Sequence, residues 1–117
     1  MENVHTLNLQ EKYFELIKNN IKTLEGRLND EKRQAFNVGD KILFFKEPDR
    51  VEMLEAVIVD KYIFKSFDEM AENLDKAELG FGGVSKQEMV DVYRKIYPRE
   101  KEEKYGVVIF RVRVWND

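Results

Sequence analysis

The chain has no cysteine, one histidine, two prolines and no apolar run near the length of a membrane span. Each shortage removes a class of function. Without cysteine there is no disulfide framework, thiolate zinc site or cysteine nucleophile, and the composition suits a reducing cytosol. A single imidazole, His5, cannot build an all-protein zinc site, and neither metal nor cofactor is implied. A membrane helix needs about 18 consecutive apolar residues or more, and the N-terminus lacks a basic stretch followed by an apolar one. The expectation is a soluble, cytoplasmic protein with no membrane partner.

An excess of positive charge is also missing. Lys and Arg number 20 against 23 Asp and Glu, giving a net charge of −3 at pH 7. Proteins that grip long nucleic acid nonspecifically carry a basic field, because phosphate neutralisation supplies most of that affinity. Any nucleic-acid contact is therefore confined to one local cleft, and a nucleoside-sized ligand suits the charge balance equally. What is present is globular: 43% hydrophobic and 12% aromatic residues in 117, enough for one compact core. Residues 1–117 read as a single domain.

"HTLNL" alternates as a strand, with His5, Leu7 and Leu9 on one side. "QEKYFELIKNN" carries Tyr13, Phe14, Leu16 and Ile17 at helical spacing and stops at Asn19-Asn20, since asparagine tolerates a left-handed backbone. "IKTLEGRL" reads as a strand with Leu24 and Leu28 on one face and Thr23, Glu25 and Arg27 on the other. "NDEKRQAF" suits one helical turn. "VGDKILFFK" opens with a turn into a strand, "EPDR" is a second turn, and "VEMLEAVIVDKYIF" is a long strand bent near Asp60. "SFDE" and "SKQE" are capping boxes that each open a helix, the second ending at Pro98. "REKEEK" reads as a solvated charged connector, and "YGVVIFRVRVW" as the last strand. Strands do not alternate with helices as in a doubly wound sheet, so the fold class is α+β: a small mixed β-barrel of five to six strands with flanking helices.

One segment stands out chemically. "NNIKTLEGRL" places Lys22, Glu25 and Arg27 within six residues of one another. As an exposed strand face, such an ion pair contributes only about 0–1 kcal/mol. As a binding site, Glu25 can accept from an exocyclic amine while Arg27 and Lys22 hold a phosphate or a base carbonyl. Tyr62, Phe64, Tyr97 and Tyr105 are candidates to stack on a base, with core packing the competing reading and the favoured one for Phe64. "LGFGG" lacks the Gly-Lys-Ser/Thr of a phosphate loop. It reads as a lip over the cleft, with Phe81 either at its tip or tucked into the core. His5 has no partner that spacing identifies. Arg111 and Arg113 either add charge to one wall or face water.

The same segment resembles the signature of the ASCH family, Gly-x-Lys-x-x-Glu-x-Arg, with Lys22, Glu25 and Arg27 in place and Asn20 where the family has glycine. "VGDKILF", "YIFKSFDEM", "KQEMVDVYRKIYP" and "EKYGVVIFRV" follow in the family's order, so the resemblance spans nearly the whole chain, in the manner of a small stand-alone bacterial-type member. It implies a PUA-like barrel with the motif at the edge of a cleft, and RNA or a nucleoside- or nucleotide-like partner. Asn20, Lys22, Thr23, Glu25 and Arg27 would line that cleft. A bacterial branch that this chain resembles deacylates N4-acetylcytidine with a lysine, a threonine and a glutamate. Lys22 matches that lysine, Glu25 stands at the threonine's position, and Gly82 falls near the glutamate's. If the chain is an enzyme of this kind, Lys22 and Glu25 carry the catalysis. A ribonuclease activity is a third implication of the resemblance and would rest on the same two residues.

Overall fold

The computed structural model describes residues 3–115. In chain order the elements are β1 (Val4–Leu9), α1 (Glu11–Lys18), β2 (Leu24–Leu28), α2 (Glu31–Gln34), β3 (Lys41–Lys46), β4 (Met53–Phe64), α3 (Phe67–Asn73), α4 (Lys86–Ile96), α5 (Arg99–Tyr105) and β5 (Val107–Val114). The strands form one sheet in the order β1-β3-β4-β5-β2. β1 runs parallel to β3, and every other pairing is antiparallel. β4 slips register between Ile58 and Asp60, at the bend expected in the sequence. Such an irregularity raises the local twist. The sheet curls into a half-barrel, and the expected α+β, PUA-like arrangement is present with five strands.

The half-barrel does not close. β1 and β2 are its two edges, and they meet across a seam rather than a ladder. The Arg27 guanidinium crosses this seam, Nη2 donating to the Asn8 carbonyl at 2.8 Å. Two cores follow from the curl. Leu7, Leu9, Phe14, Ile17, Phe44 and Phe110 fill the concave side, where α1 plugs the barrel. Leu24, Leu28, Val107 and Ile109 on the convex side are covered by α3 and α4 through Phe67, Met70, Met89 and Tyr93. Phe64 packs against this second core rather than facing the cleft.

Local chemistry fixes the helix starts. Ser66 and Ser85 each accept from the backbone N–H three residues on, and Glu88 completes the reciprocal box at α4. His5 does have a partner: it stacks on Phe36 with ring centroids 3.9 Å apart and bonds Asp40 at 2.8 Å.

"REKEEK" is solvated as expected at every residue but Glu102, and it is a helix rather than an irregular connector. It forms α5, with Pro98 as N-cap, because proline blocks continuation of α4 yet suits the start of the next helix. Glu102 is the reason the segment is held down. It is buried, accepts from the Phe67 N–H at 2.9 Å, and takes Nε and Nη2 of Arg94 at 3.0 and 2.9 Å. Burial alone raises the Glu102 carboxyl, but the bonds from Arg94 and Phe67 outweigh it and hold the group below the ordinary glutamate value. A depressed folded pKa contributes stability that is complete above the unfolded pKa and lost as pH falls through the folded one. Glu102→Gln is therefore expected to cost about 2 kcal/mol at pH 7 in urea unfolding. Its deficit relative to the parent should narrow as pH falls below the ordinary glutamate value of 4.5. A deficit unchanged by pH would contradict the ionised role.

Candidate functional site

Lys22 lies just before β2, placed there by the end of α1. Asn20 has φ 60°, inside the left-handed region where the family pattern has glycine. That turn sends the Ile21 and Lys22 N–H groups back to the Leu16 carbonyl at 2.9 and 3.0 Å. The Lys22 side chain then runs inward rather than to solvent, leaving 2% of it exposed. Its Nζ donates to the Leu24 carbonyl at 2.6 Å and the Leu79 carbonyl at 2.7 Å, and reaches Glu25 Oε1 at 3.2 Å. Gly80 makes room for this: its φ is +96°, and a Cβ there would lie 3.0 Å from Lys22 Cδ. The "LGFGG" segment is thus a packed clasp around the lysine, with Leu79, Gly80 and Phe81 all buried, and not a lip.

Glu25 is the hinge of the set. Oε1 faces Lys22, and Oε2 accepts from Arg27 Nε at 2.7 Å. Burial alone would raise its carboxyl, but Lys22 and Arg27 together hold it below the ordinary range. Burial holds the Lys22 pKa below the ordinary lysine value, and the Glu25 carboxylate offsets only part of that. A neutral amine has only two N–H bonds, whereas three acceptors face this nitrogen, so the geometry holds an ammonium. Two cations and one carboxylate, largely removed from water, are costly to keep. Well-packed apolar replacements for buried ionic groups are often neutral or stabilising. The exposed-strand reading of this trio does not apply.

The motif forms one wall of a cleft of about 170 Å³ at the seam. Tyr13, Phe81, Tyr93 and Tyr97 supply aromatic walls, and Asn8, Gln10 and Glu47 close the β1 side. Burial, with the Glu25 charge adding to it, raises the phenols of Tyr13 and Tyr93. Tyr97 is also raised by burial, against the opposing Arg27 charge. All three therefore present neutral O–H groups at pH 7.

The floor is backbone. Leu24 turns both its N–H and its C=O away from β5, to Glu78 and Lys22. Orientation repeats every second residue along an antiparallel strand. The N–H and C=O of Gly26 therefore also point off the free edge of β2, into the cleft that Gly26 lines. With no Cβ, Gly26 lets the Tyr93 ring pack flush against this edge: a Cβ would stand 3.1 Å from the Tyr93 hydroxyl.

Of the residues expected in the site, Lys22, Glu25, Arg27 and Tyr97 converge here. The others do not line the cleft. Asn20 shapes the turn before it. Thr23 donates to Glu78 at 2.9 Å, in a separate network with Arg111. Tyr62 joins that network through Asp60 and Arg111. Tyr105 bonds Glu31 at 3.3 Å, away from the seam. Gly82 is exposed and outside the cleft. Tyr13, Tyr93 and the Gly26 edge were missed, because helical spacing makes such tyrosines look like core and a glycine in a strand advertises nothing. Among the described residues, no group of three or more His, Cys, Asp or Glu is placed to hold a metal ion, and no helix is long and apolar enough to cross a membrane.

Lys22→Met is expected to lower unfolding stability by about 3 kcal/mol, since it leaves two buried carbonyls and a carboxylate short of their donor. Replacing the whole trio with apolar residues (Lys22→Met, Glu25→Leu, Arg27→Met) should recover most of that loss. Guanidinium unfolding midpoints of the two variants check both statements.

Comparison with known proteins fits this geometry. The crystal structure of the hypothetical protein PH0355 superposes with a TM-score of 0.86 at 38% identity, covering 96% of this chain and 99% of that one. The solution structure of protein PF0455 from Pyrococcus furiosus gives a TM-score of 0.69 at 36% identity, with both chains covered in full. The chain has no significant match among curated proteins. The ASCH domain family matches residues 7–114, and the chain belongs to that family.

Proposed function

We propose that this ASCH domain binds the base of a pyrimidine nucleoside or nucleotide, free or within RNA, in the cleft at the β1/β2 seam. The observation that carries the reading is the Gly26 edge, which offers a backbone donor and acceptor side by side between aromatic walls. Single-stranded bases are recognised in this way: the ring stacks on aromatic side chains and its Watson–Crick edge is hydrogen-bonded. Size narrows the class. A cavity of about 150 Å³ admits one benzene ring, and this cleft, at about 170 Å³, suits one six-membered ring.

Arg27 is the side chain best placed to touch the ligand. Its Nε and Nη2 are occupied by Glu25 and Asn8. Tyr97 also lies within hydrogen-bonding reach of the guanidinium, and the donors beyond these three contacts are available to a base carbonyl, with Glu25 keeping the fork in plane. Lys22 supports this wall from behind.

Deacylation of N4-acetylcytidine asks more of Lys22. A base or nucleophile needs a lone pair, and this nitrogen donates to two carbonyls and a carboxylate. Gly82, which falls near the position of the deacylating branch's glutamate, is exposed and outside the cleft. Binding is therefore the reading that the geometry favours, with the family's association with RNA in its support.

Calorimetric titration with cytidine and uridine is expected to give one-site binding. Arg27→Lys keeps the charge beside Glu25 but removes the fork, and should weaken binding about tenfold. N4-acetylcytidine should persist unchanged on incubation with the protein, as followed by its absorbance. Turnover that Lys22→Ala abolishes would replace binding with catalysis.

A further inference from the structure

A second hollow, of about 320 Å³, adjoins the cleft on the β1 side and shares Asn8, Arg27 and Glu47 with it. Its character is different. Lys32, Arg33 and Arg50 join Arg27 around it, against the single carboxylate of Glu47. Four cations to one anion is a marked local excess in a protein of net charge −3.

These cations are only partly neutralised. Arg27 belongs to Glu25, and Arg33 pairs with Asp30 at 3.0 Å while its buried Nε has no hydrogen-bond partner among the described residues. Lys32 and Arg50 have no carboxylate partner among the described residues. Arg50 is nevertheless held in place. Its Nε donates to Asn8 Oδ1 at 3.0 Å, and its guanidinium lies 4.5 Å from the Phe45 ring centroid. Asn8 thus fastens both arginines, Arg27 by its backbone oxygen and Arg50 by its side chain.

We infer that this hollow is the phosphate subsite of the same ligand, so that the molecule bound is a phosphorylated pyrimidine nucleoside. The inference rests on the base-binding reading of the cleft and extends it. With the base against Gly26, the phosphate meets Lys32, Arg33 and Arg50, where fork-shaped and point cations suit its oxygens. The ribose lies between the two, beside Glu47. Its carboxylate has no hydrogen-bonded partner among the described residues and is suited to accept from sugar hydroxyls. The remote charge of the chain does not oppose this, because screening confines such interactions to about 10 Å at 0.1 M salt.

The test compares cytidine and uridine with their 5′- and 3′-monophosphates and a short pyrimidine oligonucleotide, by calorimetry at low salt on the full chain. One monophosphate is expected to bind about tenfold tighter than its nucleoside or better, with the advantage shrinking as salt rises. In the Lys32→Ala/Arg50→Ala variant, checked for folding by circular dichroism, the monophosphate-to-nucleoside ratio should fall to near one. Nucleosides binding as tightly as their phosphates would overturn the subsite and leave the base cleft standing. No binding of either would overturn both. An oligonucleotide that outbinds the mononucleotide, with the same dependence on Lys32 and Arg50, would identify the phosphate as part of a strand; equal affinity would identify a free nucleotide.

Discussion

The ammonium of Lys22 is the fixed point of this structure. Its three acceptors come from the start of β2, from the loop between α3 and α4, and from the Glu25 carboxylate. One buried charge therefore joins the start of β2 to the loop between α3 and α4, two segments that hydrophobic packing alone would leave free to slide. The chain is shaped to receive it: Asn20 turns the backbone after α1, and Gly80 clears the path of the aliphatic stem. Glu25 then follows from Lys22, since a buried ammonium facing only carbonyls lacks a countercharge. Arg27 follows from Glu25, whose second oxygen sets the plane of the guanidinium. The polar wall of the cleft is ordered in that sequence, from the inside outward.

An open sheet has two edges, and edges are usually covered or blunted. This fold uses both. β1 and β2 approach without pairing, Arg27 spans them, and the Gly26 peptide groups are left pointing at whatever enters the gap. A closed barrel would have satisfied those groups internally and lost the site.

Much of this was legible in the sequence. The strand order along the chain, the capped helices, the bend near Asp60 and the Lys22/Glu25/Arg27 set all follow from alternation, capping chemistry and the motif. What the sequence concealed has common physical causes. Tyr13 and Tyr93 sit at helical spacing beside core residues, and only the packing reveals that their hydroxyls border a cleft. Tyr62 and Tyr105 looked equivalent to Tyr97 until the topology put them in other networks. "REKEEK" is charged throughout, and its one buried member, Glu102, is distinguished only by Arg94 and the Phe67 N–H, eight and 35 residues away. Thr23 neighbours Lys22 in sequence but faces Glu78 in space. The burial of Lys22 is hidden for the same reason, since the Leu79 carbonyl, 57 residues away, cannot be read from spacing.

The most direct test of the account is a two-dimensional amide spectrum of the 15N-labelled protein, titrated with a pyrimidine mononucleotide. The Gly26 amide is the only contact proposed through a backbone N–H, and it needs no mutation to observe. The account predicts that its resonance moves most, with Arg27 and the amides around Tyr97 following, and that Thr23 and Arg111 stay still. A saturating ligand that leaves the Gly26 amide unmoved, or that shifts the Thr23–Glu78–Arg111 side instead, would contradict the assignment of the seam as the binding site.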